Sequence, residues 1–219
     1  MSETGVVRFN CERIPAQLPV FNGFDELNRV RGQLVDLGLV GVDSNGIGFG
    51  NLSVRAGDSS QFYITGSGTG ELAELSPADC AKVVAYDFAK NWLRCEGNRM
   101  ASSESLTHAA VYESAPGAGA VIHGHARDLW CALLNKVPTI PPNAEYGTPE
   151  MASAVKRLFE TSDVATHKIF VMGGHEGGVV VFGADLCDAM SAVGGRTSEA
   201  GDRTSEIGSR RSAEQRAKG

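Results

Sequence analysis

Short apolar segments joined by tight turns are the feature that most constrains the fold of this chain. Residues 51–55 alternate polar and apolar side chains, as a half-buried β-strand does. Gly57 and Asp58 then mark a turn before a second strand-like segment at residues 61–65, and residues 82–86 and 91–95 form a similar pair. Parallel strands need a long crossover, so hairpins this short predict a mixed or largely antiparallel sheet.

Helical segments alternate with these strands. The first is predicted from Asn22 to about Val40, because apolar residues recur there at helical spacing. A second is expected from Glu104 to Ser114, where a Pro-Gly pair stops it. A third is expected to begin at Pro149, behind the capping residue Thr148. Together these elements predict an α/β sandwich.

The composition indicates one globular domain followed by a polar tail. With 219 residues, of which 42% are hydrophobic, the chain is long enough to bury one substantial core. From Gly194 onward the sequence repeats Arg-Thr-Ser-Glu and has almost no side chain that can pack. We therefore predict a domain over residues 1–193 and a disordered polar tail over residues 194–219.

Charge and cysteine usage exclude several classes of protein. A net charge of −6 argues against nucleic acid or an anionic membrane as the main partner. No apolar run approaches the ~20 residues of a membrane span. The five cysteines are scattered and odd in number, a pattern typical of reduced thiols. The sequence thus predicts a cytoplasmic protein with no nucleic acid and no membrane as partner.

A pair of histidines ends the apolar run at residues 121–125. Alternate residues of a strand point to one face, so His123 and His125 would lie side by side, roughly 6–7 Å apart, where both can bind one metal ion. A third histidine, His175, follows another apolar run, and Glu104 lies where a helix is expected to begin. Three imidazoles and one carboxylate are typical of a catalytic metal site, for which Zn²⁺ is the first candidate and Mn²⁺, Co²⁺ and Fe²⁺ stay open.

Simpler interpretations exist for these residues. A single histidine is more often a hydrogen-bonded core or surface side chain than a metal ligand. His108, one helical turn after Glu104, is either a fourth nitrogen ligand or a residue packed behind the site, which is the commoner role. A cupin-type site would need a glutamate shortly after His125, where Ala-Arg-Asp stands instead.

Loops of small residues are the other recurrent feature. Gly50-Asn51, Ser67-Gly68 and Ser102-Ser103 each combine backbone N–H groups or hydroxyls with little steric bulk. Each alone is an ordinary turn. Together they could bind a phosphate without a lysine, because glycine allows close approach and a helix N-terminus adds partial positive charge.

Six motifs containing these residues follow one another along the chain. They are Gly50-Asn51-Leu52-Ser53, Thr65-Gly66-Ser67-Gly68, Ser102-Ser103-Glu104, His123-Gly124-His125, Glu145-Tyr146-Gly147-Thr148 and Gly173-Gly174-His175-Glu176-Gly177. This series resembles the class II aldolase/adducin family, over roughly residues 24–193. The resemblance implies a three-layer α/β/α sandwich around a mixed, largely antiparallel central sheet, assembled as a homotetramer with active sites between subunits.

The resemblance also implies roles for individual residues. His123, His125 and His175 would be the metal ligands. Glu104 would be the catalytic acid/base and would also contact the metal when substrate is absent. The substrate-phosphate site would comprise Gly50, Asn51, Ser67, Gly68, Ser102 and Ser103.

The implied activity is that of a metal-dependent aldehyde-lyase of carbohydrate metabolism. Such an aldolase cleaves a small phosphorylated sugar or related keto compound through a metal-stabilised enediolate. Two proton-handling tyrosines of the family's L-fuculose-phosphate aldolase have no counterpart at residues 137–143 or in the tail. A sugar-phosphate dehydratase or decarboxylase is therefore the nearest alternative. A non-catalytic adducin-like interaction module is the alternative outside enzymes, and the presence of Glu104 and the three histidines counts against it.

Overall fold

A mixed β-sheet of nine strands runs through residues 9–193, the part of the chain that this computed structural model describes. The strands of the chain are β1 (Asn10–Ile14), β2 (Gly41–Val42), β3 (Gly48–Phe49), β4 (Asn51–Arg55), β5 (Phe62–Thr65), β6 (Cys80–Asp87), β7 (Trp92–Glu96), β8 (Ala120–His125), β9 (Thr139–Ile140), β10 (Ile169–Met172) and β11 (Gly178–Gly183). The order in the large sheet is β1-β7-β6-β5-β4-β8-β11-β10-β9, and β2 pairs with β3 separately. Parallel pairing occurs at β1–β7 and β9–β10, while the other ladders are antiparallel. The predicted sheet type is confirmed.

Helices cover both faces of this sheet. They are α1 (Phe24–Asp36), α2 (Ser105–Ser114), α3 (Arg127–Leu133), α4 (Pro149–Thr161) and α5 (Val164–His167), and residues 186–193 are also helical. Alternate residues of β8 enter different cores: Val121 packs in the core with α2 and α4, and Ile122 packs in the core with α1. The α/β/α layering implied by the family resemblance is confirmed, and His123 lies on the α2 side because it is two residues after Val121.

The predicted bounds of the first helix are wrong. We expected it from Asn22 to about Val40, whereas α1 begins after Gly23, which has a φ of 87°, and ends at Asp36. Gly38 takes a left-handed φ of 68°, and the N–H of Leu39 bonds back to the carbonyl of Leu34 at 2.8 Å. This glycine-terminated C-cap turns the chain out of the helix although the apolar spacing continues.

Several other expectations can be compared with the structure. The predicted polar tail at residues 194–219 lies outside the described residues, as do residues 1–8. All five cysteines are free thiols. None of the helices within residues 9–193 has the length and apolarity needed to cross a bilayer.

Candidate active site

The two histidines of the H-x-H motif lie at the end of β8, near the middle of the sheet. Asn51 of β4 is paired with His123 on one side, and Gly178 of β11 is paired with His125 on the other. The N–H of His125 also donates to the carbonyl of Leu39 at 2.8 Å. Pairing on both sides fixes the backbone of the two histidines, as the strand prediction required.

His175 lies in the turn that joins β10 to β11. This turn is closed by the N–H of Gly178, which donates to the carbonyl of His175 at 2.8 Å. A Cβ atom at Gly177 would lie 2.7 Å from Cε1 of His125, and one at Gly178 would lie 2.6 Å from Cδ2 of His175. Glycines are therefore required at both positions because the two imidazoles occupy the space of a side chain.

The three imidazoles converge. Ring centroids are separated by 6.1 Å for His123 and His125, 5.4 Å for His123 and His175, and 4.8 Å for His125 and His175. Imidazoles that share one ion, each about 2 Å from it through a nitrogen, have centroids roughly 5 Å apart. The spacing of the three rings therefore fits a common metal ion.

His123 has a buried nitrogen that suits a metal. Its side chain is 3% exposed, and its Nε2 has no hydrogen-bond partner within the described residues. Its Nδ1 lies 3.4 Å from Nδ2 of Asn51, whose own Oδ1 also lacks a partner in the described part of the chain. A half-turn of the Asn51 amide would let Oδ1 accept a bond from the Nδ1–H of His123. The Nε2 lone pair would then be available to an ion, which is the usual arrangement around a ligating histidine.

Burial keeps these imidazoles neutral. It lowers the pKa of His123 well below the ordinary histidine value, and the nearby His175 and His125 lower it further. Burial also lowers the pKa of His125, and Glu176 opposes that shift. Neutral imidazoles are the form that binds a metal, so both residues are ready to act as ligands near pH 7.

Glu104 lies at the start of the helix as predicted, as the residue immediately before α2, and it is 1% exposed. The hydroxyl of Thr107 donates to Oε2 of Glu104 at 2.7 Å and so orients the carboxylate. This hydroxyl lies within the first turn of α2, so the orientation of Glu104 is fixed locally by its own helix.

His108 packs behind Glu104. It is fully buried, and its Nδ1 lies 2.7 Å from Oγ of Ser53, which in turn lies 2.8 Å from the hydroxyl of Tyr112. Burial lowers the pKa of His108 to about 3. These contacts fit a residue packed behind the site, the commoner of its two predicted roles, while its Nε2 is buried without a hydrogen-bond partner in residues 9–193.

One cavity of about 490 Å³ is lined by every residue to which the family resemblance gave a role. Its lining includes Gly50, Asn51, Ser67, Gly68, Ser102, Ser103, Glu104, His123, His125 and His175. Two of the small-residue loops are joined by a β-bridge between Gly66 and Ala101, and the N–H of Ser67 donates to the carbonyl of Met100 at 2.9 Å. These contacts bring loops that are about 35 residues apart in sequence to one wall of the cavity.

Another part of the wall is the β2–β3 hairpin, which supplies Ile47 and Phe49. The Phe49 ring lies 5.9 Å from the His125 ring. The carboxylate of Asp43 closes the hairpin turn by accepting bonds from the N–H groups of Asn45 and Ile47, at 2.8 and 2.9 Å. The hairpin therefore places the apolar Phe49 ring beside His125.

This combination of fold and site has counterparts among known proteins. A family model described as Class II Aldolase and Adducin N-terminal domain matches residues 43–194. The chain belongs to this family. The match covers the H-x-H strand, the His175 turn and all three small-residue loops, so the predicted resemblance is confirmed.

Two curated relatives of the chain in this family have different activities. The 5-methylthioribulose-1-phosphate/5-deoxyribulose-1-phosphate aldolase of Rhodospirillum rubrum is 32% identical over 130 residues, which are 58% of this chain and 55% of that protein. The 3-oxo-tetronate 4-phosphate decarboxylase of Haemophilus influenzae is 31% identical over 159 residues, 65% of this chain and 70% of that protein. The chain thus spans just over half the length of the first relative.

The fold of the family is also seen in a solved structure. The crystal structure of L-fuculose-1-phosphate aldolase from Thermus thermophilus superposes with a TM-score of 0.60 at 22% identity. The superposition covers 84% of this chain and 93% of that one. This similarity confirms the fold.

Class II aldolases generally depend on a divalent metal, and most members of the superfamily are lyases. The donor set here fits such an ion: three converging imidazoles, one of them with a buried and unpartnered Nε2 within the described residues. Glu26, Asp185 and Cys187 form a separate group whose potential ligand atoms lie within 4.8 Å of one another. They lie on the surface outside the cavity, and exposed acidic groups of this kind are common without an ion.

Several residues of the cavity were given no role by the sequence, and Tyr146 and Arg31 are two of them. Tyr146 was part of a motif but had no role, and its ring centroid lies 4.5 Å from that of His175. Arg31, on the first helix, lines the same cavity although the sequence indicated no role for it. An arginine at an apolar position of a helix is the signal that could have identified it.

Proposed function

We propose that this chain is a metal-dependent lyase of the aldolase type that cleaves a small phosphorylated sugar or a related keto compound. The convergence of three imidazoles and a buried carboxylate on one cavity is the observation that supports it. His123, His125 and His175 would hold the divalent ion, with Zn²⁺ as the first candidate. Such an ion supplies Lewis acidity to adjacent substrate oxygens when it is bound.

Glu104 is the proton-transfer group in this proposal. Thr107 holds Oε2, so the carboxylate keeps one orientation in the cavity. During cleavage the carboxylate removes the proton from the hydroxyl next to the breaking C–C bond. It then returns a proton to the carbon of the other fragment.

The loops of small residues bind the substrate phosphate in this proposal. They are Gly50-Asn51, Ser67-Gly68 and Ser102-Ser103. Hydroxyls and backbone N–H groups are suitable donors to phosphate oxygens, and the N-terminus of α2 adds partial positive charge directly after Ser103 and Glu104.

A decarboxylase is the second candidate, favoured by the similarity to the Haemophilus influenzae enzyme. The deciding experiment incubates metal-reconstituted protein with ketose 1-phosphates and, separately, with phosphorylated 3-oxo acids. Release of an aldehyde supports the aldolase, release of CO₂ supports the decarboxylase, and water loss without C–C cleavage identifies a dehydratase. If metal-loaded protein transforms neither class, the proposal of an enzyme is refuted and a non-catalytic interaction module is favoured.

The proposal also includes a cytoplasmic homotetramer and a catalytic domain that occupies residues 1–193. Family membership and the free thiols support it. Light scattering on the purified protein tests the assembly, and a monomer at micromolar concentration would contradict it.

A further inference from the structure

Arg31 is a buried cation at the cavity. It lies on the inner face of α1 and is 1% exposed. Its guanidinium donates to four backbone carbonyls of one loop, which belong to Thr69 at 2.8 Å, Gly70 at 3.3 Å, Leu72 at 2.6 Å and Ala73 at 3.4 Å. This loop directly continues the Ser67-Gly68 wall of the cavity.

The charge of Arg31 has no counter-charge beside it within the described residues. Neutral carbonyls satisfy N–H groups without cancelling a positive charge. Among residues 9–193 no carboxylate lies within ion-pair distance of Arg31. Asp79, the carboxylate that acts on Arg31 from farther away, is paired with Arg99 at 3.0 Å. A buried charge normally has a partner because its desolvation is costly, so an anionic ligand would complete this arrangement.

Arg31 is also distinctive among the cavity residues. Among the described residues that line the cavity, Arg31 is the one lysine or arginine. Asp43 and Glu104 are the lining carboxylates, and the backbone bonds of the hairpin turn already engage Asp43. With a net charge of −6, the whole molecule does not attract anions. Local positive charge must therefore come from within the cavity.

We propose that Arg31 is a specificity-determining residue that makes the cavity select substrates bearing a phosphate dianion. Its charge is fixed beneath the Thr69–Gly70 segment by the four carbonyl bonds, and it attracts the phosphate held by the adjacent loop. This inference rests on the proposed function, because it assumes a phosphorylated substrate in this cavity.

Calorimetric titration with inorganic phosphate tests the proposal on the metal-loaded full-length protein. Arg31→Gln removes the charge and should weaken phosphate binding by roughly 10- to 100-fold, as expected for a charge a few ångströms away at an intermediate dielectric. Arg31→Lys keeps the charge and should retain binding within roughly tenfold of wild type. Arg29→Gln is the matched control, because it removes an exposed arginine from the same helix, and it should leave the affinity unchanged. Metal content should be equal in all variants.

The outcomes distinguish failure of the role of Arg31 from failure of the proposed function. Equal phosphate affinity in wild type and in Arg31→Gln would overturn the role of Arg31 and leave the proposed function intact. A wild-type protein that binds no phosphate would instead overturn the phosphorylated substrate. If Arg31→Gln does not fold, Arg31→Lys decides, since a folded lysine variant with no phosphate binding contradicts selection by charge.

Discussion

Glu104→Gln is the substitution that most directly tests the proposed proton transfer. The amide has nearly the same size and shape, and its oxygen can still accept the bond from Thr107 that holds the carboxylate at 2.7 Å. The change removes the titratable group and one negative charge before α2. The three histidines stay in place, so the metal site should be preserved.

Glu104→Gln should lower turnover much more than it lowers the stability of the fold. Loss of a positioned acid/base lowers turnover by roughly 10²- to 10⁴-fold, which is about 3–5 kcal/mol in activation free energy. The effect on folding is smaller. A charged hydrogen bond becomes a neutral one, at a cost of about 1 kcal/mol. The lost charge at the helix start adds about 0.3–1 kcal/mol, and the lower desolvation cost of an amide offsets part of both.

The assay measures turnover at saturating metal, together with metal content and melting temperature. Glu113→Gln is the matched control, because it makes the same change on the same helix at an exposed ion pair with Lys156. Near-wild-type turnover of Glu104→Gln at saturating metal would refute the catalytic role. If added metal restores a lost activity, Glu104 is a metal ligand and not the proton-transfer group.

Three further predictions concern the site and its support. His123→Ala should abolish stoichiometric metal binding in elemental analysis, because two nitrogens hold an ion poorly. His167→Ala is the control, since His167 lies at the end of β10 away from His175, and it should keep the metal. Unchanged metal content in both variants would place the site elsewhere. Gly178→Ala should weaken metal binding about tenfold or more by displacing an imidazole that lies 2.6 Å from the new Cβ, whereas Gly117→Ala, with open space around it, should have no effect. The free energy of unfolding should decrease as the pH falls from 6.5 toward about 3, because the fold holds His108 neutral while the unfolded chain protonates it. The slope is about 1.4 kcal/mol per pH unit, and denaturation of His108→Gln at pH 7 and pH 5 should show a shallower dependence.

Local patterns were sufficient to predict the elements that carry the ligands. The apolar run ending in His123 and His125 forms β8. Thr148 caps α4, which begins at Pro149 as predicted, and α2 begins at Ser105, one residue after the predicted start. These features depend on periodicity and capping, which are short-range properties of the chain. The convergence of His175 with the H-x-H pair depends on sheet order, and it became predictable through the family resemblance.

Contacts between distant segments were not predictable. Arg31 bonds to carbonyls about 40 residues away, and no pattern around Arg31 indicates which loop will pack on α1. The need for glycine at position 66 is also set by a distant segment, since a Cβ there would lie 2.7 Å from the carbonyl oxygen of Asp79. That requirement appears only when the two segments are placed side by side. The end of α1 was misjudged because apolar spacing continues past the left-handed Gly38.

The β2–β3 hairpin lines the cavity but does not carry a metal ligand. The cavity wall can therefore change during evolution while the metal site is kept. Its ladder, Gly41 to Phe49 and Val42 to Gly48, is independent of the large sheet that holds His123. Its turn is closed by the side chain of Asp43, so its contacts are short-range and its closure entropy is small. Side chains at the tip of this hairpin could therefore change without disturbing the ligand-bearing ladders, whereas its two ends are fixed by the Leu39 carbonyl that accepts from His125 and by Gly50, which leads into β4. Natural variation in which compound fits beside the histidines should accumulate in this hairpin, while β8 stays nearly constant.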